Sequence, residues 1–262
     1  MKNIKKHLER KHGKNFQDCH FDIKEFNTHK RKLSVEEALT ANKPTKGGGK
    51  GHNPPPPPPP AQAIGVILLT FTGYTVTGTS WNASGDIVCS PANLTSAQVD
   101  EIVANIEGEY ALYNVTITTD EAIYNASPIN RRTRCIFTES WEWFGQAGGV
   151  AFVGSFSDGY NNPCFVFTTL LSYSAKYIKE AAAHEIGHTC GLYHQSKYDA
   201  NCVLVSQYNS GGCPLTCGEA PIMGVSYSAP DTGTKWWIGP TPYGCQSIQD
   251  DNAILTANLG LK

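Results

Sequence analysis

This 262-residue chain is poor in methionine, and from residue 61 onward it is poor in histidine too; both gaps are informative. Methionine occurs only as Met1 and Met223. Five of the eight histidines precede residue 61; after it come only His184, His188 and His194. No apolar run approaches the roughly 20 residues that cross a bilayer. The run 64–70 is far too short, so no membrane span is expected. Residues 1–14 are polar and basic with no apolar stretch, so no signal peptide is visible at the N-terminus. No CxxC pair occurs, since Cys213 and Cys217 are separated by three residues, which counts against a cysteine metal site. Residues 61–262 carry 8 Lys/Arg against 17 Asp/Glu, a net −9, and this lack of a basic patch counts against nucleic-acid binding.

Residues 1–60 are a different kind of polypeptide, with 13 Lys/Arg against 6 Asp/Glu, a net +7. Residues 1–46 are charged and low in large apolar side chains, and are read as a disordered segment with at most a short helix over 34–39. Residues 47–60 combine glycines with seven prolines, Pro54 to Pro60, and read as a linker ending in a stiff polyproline rod. Residues 61–262 are expected to fold as one domain. Apolar runs and alternation predict strands over 64–71, 115–119, 135–138, 150–153 and 165–168. Thr95-Ser96-Ala97-Gln98 resembles a capping box opening a helix that continues to about Tyr113. A second helix is expected from about Ala175 to near Gly191, and a third over 250–259, closed by Gly260. The order β-α-β-β-β-β-α, followed by a Gly-, Pro-, Asn- and Cys-rich stretch, is that of an α/β domain.

The chemistry is concentrated in His184-Glu185-Ile186-Gly187-His188-Thr189-Cys190-Gly191-Leu192-Tyr193-His194, which fills every fixed position of HExxHxxGxxH. On a helix, His184 and His188 lie one turn apart on one face. Gly191 lets the chain leave the helix in a conformation that disfavours a Cβ, and His194 then swings back. Three imidazoles can hold one Zn²⁺ and leave the fourth position to water, as catalytic sites do. Glu185 follows the first ligand and is placed to act as a base. Satisfied core histidines are the bland alternative.

Eight cysteines, from Cys89 to Cys245, suggest up to four disulfides and an oxidising compartment, with a set of reduced thiols or a second metal site as the alternative. Cys190 is expected to tie the helix end to the following loop. Residues 158–162, Asp-Gly-Tyr-Asn-Asn, could hold Ca²⁺, although an ordinary turn explains them more simply.

The elongated histidine motif, together with Met223 in Ala220-Pro221-Ile222-Met223-Gly224-Val225-Ser226-Tyr227, resembles the metzincin zinc metalloproteases. Gly148-Gly149-Val150-Ala151-Phe152-Val153-Gly154-Ser155-Phe156 and the closing Asp250-Asp251-Asn252-Ala253-Ile254-Leu255 are most similar to bacterial reprolysin-like (adamalysin-like) enzymes. Gln195 stands where adamalysins usually have Asp, and Val225 where astacins have a tyrosine. The resemblance implies a metzincin-like α/β fold. Its elements would be a twisted, mostly parallel five-stranded sheet, a long helix and the zinc helix, then an irregular disulfide-tied subdomain ending in a helix. It also implies a secreted, extracellular endopeptidase acting on protein or peptide substrates as a monomer. One catalytic Zn²⁺ would sit on His184, His188 and His194, with Glu185 as general base and Gly191 and Met223 as structural residues at the site. Substrate would lie extended along residues 149–156. Cys19 could place a thiolate on the zinc, or the N-terminal segment could be a plain tail. A catalytically silent binding module is the alternative from another class, and intact Glu185 counts against it. A narrow-specificity toxin-type or self-processing peptidase is a further alternative.

Overall fold

The computed structural model describes residues 19–22, 64–82, 84–212, 218–227, 229–230 and 233–262. The chain runs through β1 (Cys19–Asp22), β2 (Gly65–Thr70), β3 (Tyr74–Val76), β4 (Ile87–Cys89), α1 (Ser96–Glu109), β5 (Val115–Thr118) and α2 (Glu121–Ala126). It continues with β6 (Arg132–Thr138), β7 (Gly149–Val153), β8 (Cys164–Phe167) and α3 (Ala175–Thr189). Short strands follow: β9 (Lys197–Tyr198), β10 (Leu204–Ser206), β11 (Ala220–Pro221), β12 (Thr234–Lys235), β13 (Ile238–Thr241) and β14 (Gly244–Asp250). The last element is α4 (Asp251–Leu259).

β2 is apolar without alternation because it is buried on both faces, as strands inside parallel sheets are. It lies between β5 and β6 in a sheet ordered β1-β7-β8-β6-β2-β5. Every pairing in that sheet is parallel except β7 with β8. Five of the strands come from residues 65–167, as the sequence predicts. The sixth, β1, lies along β7 with Cys19 opposite Val150 and Asp22 opposite Val153. The remainder of the expected tail and linker, including the helix predicted over 34–39, lies outside the described residues.

The two sheet faces are packed differently. Ile67, Leu69, Phe137 and Val166 point to one side, where α1 contributes Ile102 and Ile106 and α3 contributes Ile178, Ala182 and Ile186. Complete burial of an isoleucine such as Ile102 contributes about 1.5–3 kcal/mol. On the other side Val150, Phe152, Phe165 and Phe167 pack against Trp81, with Trp143 at the margin.

The capping box of α1 forms as predicted, with Thr95 and Gln98 each accepting from the other's backbone N–H. The helix ends at Glu109, earlier than the expected Tyr113. Tyr110 and Tyr113 are both buried, and the Tyr113 hydroxyl donates to Asn252 on α4, so tertiary packing turns the chain. Asp250 caps α4, and Gly260 follows it at φ +81°.

The disulfide expectation is corrected. Cys202 and Cys245 form a disulfide, whereas Cys89, Cys135, Cys164 and Cys190 are free and buried. Cys190 therefore does not tie the helix end to the loop; it packs into the core beneath the helix. Cys213 and Cys217 lie outside the described residues. Cys135 and Cys164 are register partners on adjacent strands and also pack within the core, behaving as small hydrophobic side chains. The 158–162 segment is a turn: Asp158 accepts from the Tyr160 N–H at 2.8 Å and from Asn162 Nδ2 at 3.2 Å.

Candidate active site

α3 begins where the Ser174 side chain accepts from the Tyr177 N–H. Ala181, Ala182 and Ala183 favour the helix and let it approach its neighbours closely. From Ile178 to Thr189 every residue of the helix is buried, so its polar groups are enclosed too. Buried polar groups require partners. His184 Nδ1 meets the Ile222 carbonyl at 2.7 Å, and His188 Nδ1 meets the Leu192 carbonyl at 2.7 Å. A carbonyl only accepts, so each Nδ1 carries the proton and each Nε2 keeps its lone pair for a metal.

The helix ends at Thr189, and two residues on Gly191 takes a φ of +100°, the left-handed conformation anticipated for it. The Gly191 N–H donates to the His188 carbonyl and the Leu192 N–H to the Gly187 carbonyl. This turn returns His194 to the site, with its Nε2 3.1 Å from His188 Nε2. Ligand atoms of His184, His188 and His194 lie within 4.8 Å of one another. Nitrogens about 2.0–2.1 Å from a tetrahedral Zn²⁺ stand roughly 3.3 Å apart, so the three imidazoles fit such an ion. All three are buried.

Met223 lies beneath this cluster, fully buried. A Cβ added to Gly187, between the two helical histidines, would come 2.7 Å from Met223 Sδ. The residue before Met223 supplies the carbonyl that orients His184, so the turn both packs against the histidine-bearing helix and fixes one of its histidines.

Glu185 is fully buried and faces β7. A Cβ on Gly149 would lie 2.6 Å from Glu185 Cγ and 2.7 Å from the Phe165 carbonyl oxygen. β7 and the turn after it also bond to the helix end, where the Gly154 and Phe156 N–H groups donate to the carbonyls of His188 and Thr189. The predicted substrate strand therefore runs beside the predicted base.

Residues of the irregular C-terminal third complete the site, and periodicity gave no sign of them. The Tyr208 ring packs against His194 with centroids 4.3 Å apart. Ser226 donates to Glu180, one turn before His184 on α3. Tyr227 packs against Tyr177, with ring centroids 5.1 Å apart. Gln195 donates to Asp251 Oδ1 at 2.8 Å, as does Gln249, and the Trp237 N–H donates to Oδ2 at 2.9 Å. Burial pushes the Asp251 carboxyl up to about 6, against the lowering effect of these hydrogen bonds. The doubled acid Asp250-Asp251 before an apolar run was the one sequence signal for this network.

Residues 97–195 match the family described as metallo-peptidase family M12B, reprolysin-like. This stretch of the chain is reprolysin-like. The matched stretch starts in the capped helix α1 and ends just past the third histidine, so it takes in the whole cluster. No curated protein matches the chain. Among solved structures, one similar chain is described as "GM1 bound form of the ECX AB5 holotoxin". It is 14% identical, with 76% of this chain and 81% of that chain covered, at a TM-score of 0.29. That score gives the likeness no weight for fold or function.

Proposed function

We propose that this reprolysin-like protein is a zinc-dependent endopeptidase. The observation that carries the reading is the convergence of the three histidine ligand atoms beside buried Glu185. Zinc, when bound there, supplies Lewis acidity toward the scissile carbonyl and acidifies water. His184, His188 and His194 hold it. Glu185 takes a proton from the attacking water and passes it to the leaving amine. Gly149 gives Glu185 the room for that position, and Met223 and Gly191 keep the ligands in place.

Substrate adds as a strand along β7. That edge accepts an extended segment, since β1 of the same chain lies on it. The disulfide between Cys202 and Cys245 supports action outside reducing compartments. Among the described residues no helix is long and apolar enough to cross a membrane.

Two variants test the reading together. His188→Ala should lose most bound zinc by elemental analysis. Glu185→Ala should keep its zinc and lose about 10²–10⁴-fold in peptide hydrolysis. A zinc-bearing wild type with no hydrolysis of any peptide in a diverse library would favour a silent binding module instead.

A further inference from the structure

We infer that Asp251 is a positioning residue for the third zinc ligand: from the start of α4 its carboxylate clamps the chain on both sides of His194. This rests on the reading of His184, His188 and His194 as a zinc site.

One arm of the clamp is direct. Gln195, the residue after His194, donates its side-chain amide to Asp251 Oδ1 at 2.8 Å. The other arm runs through Gln249, whose amide also donates to Oδ1 at 2.8 Å. The same Gln249 side chain grips Tyr193, the residue before His194. Its Oε1 accepts from the Tyr193 N–H at 2.9 Å, and its Nε2 donates to the Tyr193 carbonyl at 2.8 Å. Asp251 itself is held by a two-way pairing with Trp237: the Trp237 N–H donates to Oδ2, and the Asp251 N–H donates to the Trp237 carbonyl at 3.0 Å.

These donors fix what the central residue must be. Gln249 cannot turn its amide over without breaking both bonds to Tyr193, so it presents an N–H to position 251. Trp237 presents a backbone N–H, which cannot be anything but a donor. The residue at 251 must therefore accept through both oxygens. A carboxylate does so, whereas an asparagine would set its own NH₂ against one of these donors. The first turn of a helix also favours a negative charge. His184 and His188 are placed by the helix that carries them, with the Ile222 and Leu192 carbonyls orienting their rings. His194 follows the helix, and its placement depends on what grips its neighbours.

The test compares zinc affinity of the full-length protein by competition with a chromogenic chelator. Asp251→Asn should weaken zinc binding by about tenfold or more, as loss of groups supporting metal ligands typically does. It should also speed zinc release to the chelator. Leu255→Ala, a fully buried α4 residue outside the clamp, serves as the stability control. At a temperature where both variants are folded, Leu255→Ala should hold zinc like the wild type. If Asp251→Asn fails to fold, Gln249→Met, which removes the Tyr193 arm with little change in volume, should show the same weakening. Zinc affinity within about twofold of wild type in the clamp variant, well short of the loss expected when a ligand's support is removed, would overturn the inference and leave the zinc site standing. Equal weakening in Leu255→Ala would also overturn it. A wild type without zinc affinity would overturn the site reading itself.

Discussion

At the scale of single residues, the site depends on two glycines as much as on its charged groups. Gly149 and Gly187 have backbone conformations available to any residue, but no room for a side chain. Gly187 is filled from below by Met223, and Gly149 is filled by Glu185. Gly149→Ala should therefore displace Glu185, because the opposing Phe165 carbonyl is held in the sheet and the carboxylate side chain is the softer neighbour. A shift of about 1 Å in a catalytic group costs on the order of 100-fold in rate. We expect kcat for peptide hydrolysis to fall by about that factor with zinc content unchanged. Retained kcat in Gly149→Ala would show that Glu185 tolerates movement and is not the base.

At the scale of elements, α1 and α3 lie side by side on the sheet, and α3 carries the histidines. The two are tied by contacts such as the Tyr110 hydroxyl donating to the Ala183 carbonyl at 3.0 Å, one residue before His184. The start of α1 is set locally by Thr95, which is exposed and contacts Gln98 through both its backbone and its hydroxyl. Thr95→Ala should cost about 1 kcal/mol. The result would be a lower melting temperature with unaltered zinc affinity, since the cap lies at the far end of the helix from Tyr110. A change in zinc affinity would show that the two helices move as one body.

For the whole molecule, two predictions concern how the chain is closed. The thiols of Cys89, Cys135, Cys164 and Cys190 are buried, and burial pushes those of Cys89 and Cys190 up to about 12. A thiol is the unreactive form. Alkylation of native protein should spare these four cysteines, and alkylation after denaturation should reach all of them, with Cys202 and Cys245 protected until reduction. Alkylation of any of the four in the native state would mean that the core opens. The second concerns β1, which lies on the edge proposed for substrate. His20→Pro with Phe21→Pro removes adjacent backbone donors, one of which faces β7 because alternate residues point to opposite sides of a strand. The double variant should lower KM with kcat little changed. An unchanged KM would mean that β1 does not compete with substrate.

Much of this protein is local in origin and therefore legible in its sequence. Helical spacing places His184, Glu185 and His188, a left-handed glycine ends α3, and a Thr–Gln pair opens α1. Uninterrupted apolar runs mark strands buried on both faces. The fold class follows from the order of these elements. Other features depend on residues far apart in the chain meeting in space. Spacing carries no trace of Gln249 gripping Tyr193, of Glu185 filling the place of a Gly149 side chain, or of Tyr208 lying on His194. Cysteine count suggested bridges, but pairing is a matter of distance. Strand register buried Cys135 beside Cys164 in the core, while among the described residues the disulfide joins the loop and hairpin that carry Cys202 and Cys245. Sequence determined the chemistry that three histidines and a glutamate can perform. Tertiary structure decided what holds them still, because the supporting hydrogen bonds come from the irregular C-terminal third, where the chain has no period to read.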